Sequence, residues 1–185
     1  MNTLTPDETI LGLLASRPAH GYHLLECFRD PAQLGEVWTL STSQLYAVLK
    51  RLEKQGFIEG VERESADAPT RMEYHITPAG EARLAQWLDE PQPSASVRCV
   101  RVEFLSRLYI ARLLGIPTQP LVKRQKQACH QRYSELLAQR AAAPFGVGFL
   151  TLDLVVTQME GILAWLDRTE LMPRSAEEIE DEETE

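Results

Sequence analysis

The stretch that decides the fold is residues 41–56, which read STSQLYAVLKRLEKQG. Ser41 and Gln44 form the S-x-x-Q pattern of a capping box at a helix start, and Gly56 stands where a left-handed C-terminal cap belongs. Four apolar residues between them are spaced i, i+3, i+4 and i+7, which places them on one helix face. They are Leu45, Val48, Leu49 and Leu52. The sequence therefore predicts one amphipathic helix over residues 41–55.

Two predicted helices precede this one, and two predicted strands follow it. Thr5 and Glu8 form a capping box for the first helix, and the second helix is predicted over residues 21–29. The strands are predicted over residues 57–63 and 71–77, with a polar loop between them. Helix, helix, helix, strand, loop, strand is the order of a winged helix-turn-helix, whose third helix enters the major groove of DNA.

The region after residue 95 is predicted to be wholly helical. Its last helix, near residues 147–169, carries six apolar residues at the alternating spacings of three and four that mark a coiled-coil seam. They are Phe149, Leu152, Val156, Met159, Leu163 and Leu166. We therefore expect a mainly α protein with a small β-hairpin. It divides into a winged-helix domain (residues 1–90), a helical dimerisation domain (residues 95–172) and an acidic, disordered tail (residues 173–185).

The distribution of charge argues against a generally basic nucleic-acid binder. The net charge is −8, and residues 1–90 carry eight Lys or Arg against fourteen Asp or Glu. Residues 91–176 have a net charge of +5, whereas residues 177–185 carry seven acidic residues and no basic one. DNA binding must therefore rely on a local basic patch.

Other function classes are disfavoured by what the sequence lacks. No apolar run approaches the ~20 residues that cross a bilayer, and no signal peptide is apparent, so we expect a cytoplasmic protein without a membrane partner. No Walker A, GxSxG or HExxH pattern is present, so we expect neither catalysis nor a cofactor. His20, His23 and Cys27 share a helical spacing but lack a fourth ligand, so we expect no metal site. A redox-sensing cysteine stays an alternative to a reduced, buried thiol.

The helix over residues 41–55 carries the candidate DNA-binding face. With its leucines turned inward, an outward arc is formed by Ser43, Ala47, Lys50 and Lys54. Tyr46 flanks this outward arc on one side, and Gln44 and Arg51 flank it on the other. Polar side chains in the first turn can reach bases or phosphates, and two arginines lie across the wing base. The candidate DNA-binding residues are Thr42, Ser43, Gln44, Tyr46, Lys50, Arg51, Lys54, Arg63 and Arg71.

Charge alone would favour an ordinary solvated helix here, because acidic residues surround the proposed surface. The order of the elements reverses that interpretation. One alternative stays open: a winged helix that serves only as a protein-interaction module, which the net charge of −6 over residues 1–90 would suit.

Three segments resemble PadR-type transcriptional regulators. They are residues 20–24 (HGYHL), 45–58 (LYAVLKRLEKQGFI) and 74–80 (YHITPAG), in the order of that family. The resemblance implies a repressor-like dimer on an inverted repeat in promoter DNA, with the helix over residues 41–55 in the major groove and Tyr46 near the DNA. It also implies that the C-terminal helices form the dimer. The long C-terminal region, with several helices in place of one, resembles that of the subgroup related to a low-pH virulence-gene activator. We hypothesise that a small-molecule effector or a redox change rotates the two wings and lowers operator affinity.

Overall fold

The structure, a computed structural model, describes residues 4–65 and 68–170, and the side chains of residues 63–65, 68–71 and 170 lie outside the described part. The N-terminal elements are α1 (Asp7–Ser16), β1 (Ala19–His20), α2 (Gly21–Cys27), α3 (Thr42–Lys54), β2 (Ile58–Ser65), β3 (Ala68–Ile76) and α4 (Pro78–Leu88). The C-terminal elements are α5 (Val97–Cys99), a π-helical turn (Val100–Phe104), α6 (Leu105–Leu113), α7 (Gln119–Ala142) and α8 (Val147–Glu170). The winged-helix order is confirmed, while the predicted acidic tail lies outside the described residues.

Helix α3 begins and ends where its sequence predicts. Gln44 N donates a hydrogen bond to Ser41 Oγ (3.2 Å) and Ser41 N donates to Gln44 Oε1 (2.8 Å), so the capping box is closed. Gly56 has a φ of 77°, which lies in the left-handed region that favours glycine. Its four predicted core residues are all buried. The opposite face of α3 is therefore left to solvent.

The start of α1 differs from the prediction. The N-cap residue is Pro6, not Thr5, and no side chain caps the helix. Glu8 does not complete a capping box, because its Oε1 accepts a hydrogen bond from Arg83 Nη2 of α4 (2.6 Å). A charged partner on another helix is a stronger attraction for this carboxylate than a backbone N–H.

The sheet is antiparallel and has the strand order β1-β3-β2. The two-residue strand β1 was not predicted, and β2 and β3 extend further into the predicted polar loop, since Ser65 pairs with Ala68. The residues added at the tip of the hairpin, Glu64, Ser65 and residues 68–70, lack the alternating apolar pattern of a strand, so the sequence did not indicate them. Thr77 caps α4 as predicted, because its Oγ1 accepts from Gly80 N (3.2 Å).

Helices α7 and α8 form an antiparallel hairpin in heptad register. Three polar pairs join them, and each pair lies seven residues further along α7 and seven residues further back along α8. The pairs are Lys126–Asp167 (2.7 Å), Tyr133–Glu160 (2.7 Å) and Arg140–Asp153 (2.8 Å). This regular spacing is that of a coiled coil made from two helices of one chain.

The predicted seam on α8 is present as a buried face, and within the chain it packs along α7. Val156, Met159, Leu163 and Leu166 are buried within a single chain, where α8 packs along α7. Their surfaces are thus covered before a second subunit is present, and their part in dimerisation stays a prediction. Phe149 and Leu152, nearer the turn, are only half-buried, and the Phe149 ring packs against exposed Phe145 with centroids 5.8 Å apart.

The face of α8 opposite the seam remains apolar and exposed. We call it the outer stripe, which consists of Val147, Leu150, Leu154, Gly161 and Trp165. Leu154 is 60% exposed, and Trp165 is half-buried against Phe104. Contrary to the expectation from the sequence, the segment Val147–Thr169 is long and apolar enough to cross a membrane by length and composition, with a mean hydropathy of 1.5. An exposed apolar surface of this kind indicates a site of contact with another molecule.

The winged helix and the C-terminal helices share one hydrophobic core. Helix α6 packs against α1, and Ile110 is fully buried there. Two side-chain hydrogen bonds tie the loop before α3 to α6: Trp38 Nε1 donates to Ser106 Oγ (2.8 Å), and the Tyr109 hydroxyl donates to Gln33 Oε1 (2.8 Å). The base of α3 is thus fixed to the C-terminal helices as well as to the sheet.

Candidate nucleic-acid interface

The outward arc of α3 is exposed along its whole length. Ser43, Ala47, Lys50 and Lys54 all lie in solvent, as predicted from the helix period. Neither lysine has an ion pair within residues 4–65 and 68–170. A capped helix with one buried face and two free cations on the other has the shape and charge to enter a major groove.

Tyr46 stands beside the outward arc and is 46% exposed. Its hydroxyl lies 2.8 Å from the position that a Cβ on residue 21 would occupy, so the glycine there is what allows the ring its place over α2. A cavity of about 600 Å³ opens next to the ring and is also lined by His20, Tyr22 and Tyr74. Burial raises the pKa of the Tyr74 phenol.

The first turn of α3 has a neighbour that the sequence did not indicate. Arg29 Nη2, at the end of α2, lies 3.5 Å from Thr42 Oγ1. Gln44 is committed to the capping box through its Oε1. Arg29 therefore adds a cation beside Thr42 and Ser43. No periodic pattern marks such a residue, because it reaches the site only through the turn between α2 and α3.

Arg51, predicted to contact DNA, is paired with a buried carboxylate, and its part in DNA binding stays a prediction. Its Nε donates to Asp7 Oδ1 (3.1 Å) and its Nη2 donates to Asp7 Oδ2 (2.5 Å), while the Asp7 side chain is only 4% exposed. Arg83 Nη2 lies 4.0 Å from the same carboxylate, and its guanidinium stacks 4.7 Å from the Phe57 ring centre. This cluster fastens α3 to α1 and α4.

The remaining predicted residues are described less fully. The backbone register places Arg63 opposite Arg71, with an irregularity in the ladder between Arg63 and Ser65. The side chains of both arginines lie outside the described residues. Their part in DNA binding therefore stays a prediction.

The cysteines show no sign of activation. All three are free, and burial raises the pKa values of the Cys27 and Cys129 thiols, which favours the unreactive protonated form. Among the described residues, no group of three or more His, Cys, Asp or Glu side chains is placed to hold a metal ion.

A capped, outward-facing helix followed by a hairpin wing defines a winged-helix protein of the DNA-binding class. Residues 10–86 match the family described as "Transcriptional regulator PadR-like family". The chain is 26% identical over 170 residues to the "Negative transcriptional regulator PadR" of Bacillus subtilis (strain 168), covering 85% of this chain and 91% of that protein. The chain is therefore similar to PadR-type transcriptional regulators, and its winged helix carries the match to that family.

Further similarities cover different lengths of the chain. The "Probable transcriptional regulator Rv1176c" of Mycobacterium tuberculosis is 29% identical over 82 residues, 44% of this chain and 42% of that protein. The crystal structure of Bacillus subtilis PadR in complex with operator DNA has a TM-score of 0.45 at 24% identity, covering 90% of this chain and 97% of that one. The structure of smu.1604c from Streptococcus mutans UA159 has a TM-score of 0.43 at 18% identity, covering 91% and 100%.

Proposed function

We propose that this chain is a cytoplasmic repressor that binds an inverted-repeat operator in promoter DNA as a homodimer and acts by binding rather than by catalysis. The observation that carries the proposal is α3, whose four core residues are buried while Lys50 and Lys54 stand exposed and unpaired within the described residues. The similarity to a negative transcriptional regulator of Bacillus subtilis supports repression.

Each side chain around α3 has a distinct part in this proposal. Ser43, Lys50 and Lys54 face the groove and contact bases or phosphates, while the half-exposed Tyr46 hydroxyl donates to the DNA backbone. Arg63 and Arg71 meet the backbone from the wing. Arg51 positions α3 through Asp7, and its charge is largely neutralised there.

The dimer contact follows from the outer stripe of α8. A groove of about 350 Å³ runs beside the stripe and is lined mainly by apolar side chains, among them Val100, Leu105, Ile162 and Trp165. At Gly161 no neighbouring atom lies within 4 Å of where a Cβ would stand, so another helix can approach closely. A second copy offers the same apolar face, and a two-fold pairing presents two α3 helices to two half-sites. Phe149 and Leu152 lie on the seam face near the turn, and their predicted part in dimerisation is separate from this contact.

Binding to the DNA immediately upstream of the chain's own gene tests the proposal. We expect a footprint with two half-sites about one helical turn (~34 Å) or a multiple apart. Lys50→Ala and Tyr46→Ala should each weaken binding, whereas Lys123→Ala should not, because Lys123 is an exposed lysine that lies on α7 rather than on α3. Unchanged binding by both α3 variants at moderate salt would show that the recognition face lies elsewhere.

The same DNA-binding measurements test two further expectations, one about the protein-interaction alternative and one about an effector. Absence of binding to any duplex at low salt would favour the protein-interaction alternative. Release by a small-molecule effector stays a prediction, and a ligand that dissociates the protein–DNA complex would confirm it.

A further inference from the structure

A second cleft lies beside α3, on the flank opposite Tyr46. It has a volume of about 520 Å³ and is bounded by the chain before α1, the loop before α3, α3 itself and α5. Its polar lining includes Thr5, Thr39, Gln44, Arg51 and Arg98. Ala47 belongs both to this cleft and to the outward arc. The cleft therefore opens directly onto the proposed DNA-binding face.

The cleft is positively charged, and one of its two cations is free. Arg51 is paired with buried Asp7, as described above. Arg98 is exposed and has neither an ion pair nor a side-chain hydrogen bond within the described part of the chain. None of the described residues that line the cleft is an aspartate or a glutamate. The unpaired positive charge of the cleft is therefore that of Arg98, which lies on α5 and outside the winged helix.

The position of the cleft matches the course of a DNA backbone. The major groove is ~12 Å wide, so a helix lying in it has a sugar–phosphate strand along each flank. On one flank of α3 stands the Tyr46 hydroxyl, and on the other stands Arg98. An arginine fork is well suited to a phosphate because it can donate two parallel hydrogen bonds.

We propose that Arg98 is a DNA-backbone contact, and that the cleft between α3 and α5 seats a phosphate of the strand opposite the one that Tyr46 meets. The inference rests on the proposed function and adds to it a contact made from the C-terminal region. Helix α5 also packs against α8, whose outer stripe carries the proposed dimer contact. The phosphate contact and the subunit contact are therefore joined through one short segment, residues 97–105.

The salt dependence of DNA binding tests this assignment. The probes are a duplex of the DNA upstream of the chain's own gene and a shuffled duplex of the same length and composition. Arg98→Gln should reduce the slope of log affinity against log salt by about one for each subunit. Raising the salt from about 50 to about 200 mM lowers the affinity of both chains. For each subunit, the drop in the Arg98→Gln variant should be roughly three- to fourfold smaller than the drop in the unaltered chain. A phosphate contact carries no sequence information, so both duplexes should respond alike.

Arg112→Gln is the matched control, since Arg112 is an exposed arginine on α6 that does not line the cleft. It should leave the slope unchanged, and both variants should keep the melting temperature of the unaltered chain. An Arg98→Gln slope equal to that of the unaltered chain overturns the assignment while leaving the proposed function intact. If the unaltered chain itself binds neither duplex, the proposed function and the assignment fail together.

Discussion

Helices α3 and α8 both have clear periodic sequence patterns. The two patterns differ in how much of each helix's surroundings they predict. The pattern of α3 predicts both its bounds and its surroundings, because a three-helix winged fold leaves only one place for its leucines. The heptads of α8 predict a helix and a seam but do not identify the helix that fills the seam. A periodic pattern defines a buried face, whereas its partner depends on which neighbour is closest in the chain.

The partner of the α8 seam is set by a short connection. Only residues 143–146 separate α7 from α8, so an antiparallel return is far more accessible than a second subunit. Because the seam of α8 packs against α7 of the same chain, the outer stripe is the apolar face that stays available to a second subunit. Substitutions on the two faces of α8 should therefore have opposite consequences for folding and for assembly.

A charge in the seam should have the largest effect. Met159→Asp places a carboxylate where the side chain is only 1% exposed. We expect a loss of more than about 4 kcal/mol, enough to unfold the hairpin, because burial of an unpaired charge is among the costliest substitutions. Loss of helical circular dichroism and of a cooperative melt would show it. A folded, monomeric Met159→Asp chain would instead restore the seam as the subunit contact.

The matched change on the outer stripe should spare the fold. Leu154→Asp alters a side chain that is 60% exposed in a single chain, so the helical signal should persist. Association should weaken by about a hundredfold or more, as for a central apolar contact residue. Sedimentation at several protein concentrations measures this change. If Leu154→Asp leaves the dimer as stable as before, the outer stripe is not the interface.

The same comparison explains how much of the protein could be predicted. The caps at Ser41, Gly56 and Thr77 and the apolar period of α3 are local signals, so the order of elements and the exposure of Lys50 follow directly from them. The capture of Arg51 by Asp7 could not be predicted, because these residues lie 44 positions apart and carry no joint pattern. Arg29 beside Thr42 was missed for the same reason, and the proposed contact at Arg98 likewise has no local pattern.

Breaking the ion pair between Asp7 and Arg51 should have an intermediate effect on stability. Asp7→Asn removes the charge that holds Arg51, and we expect a loss of about 1–2 kcal/mol in the free energy of unfolding. This loss of unfolding free energy is smaller than for a fully buried ion pair because the Arg51 side chain is 43% exposed. Urea unfolding provides the measurement.

Asp153→Asn is the control for that prediction, since it breaks the more exposed Arg140–Asp153 pair of the α7–α8 hairpin. Its cost should stay below about 1 kcal/mol. Equal losses for the two variants would mean that the Asp7 carboxylate does not specifically fasten α3. In that case Arg51 would again be available as a DNA contact.

The smallest effect concerns two serines at the start of α3, which separate folding from binding at neighbouring positions. Ser41→Ala removes the cap that accepts from Gln44 N and should cost about 1 kcal/mol of stability. Ser43→Ala lies on the outward arc, makes no capping bond in the structure, and should change stability by less than about 0.5 kcal/mol. Operator binding should respond in the reverse order, since Ser43 faces the groove and Ser41 faces the backbone of its own helix. Should Ser41→Ala weaken operator affinity more than Ser43→Ala at a temperature where both chains are folded, the first turn of α3 would contribute through its geometry rather than through Ser43 itself.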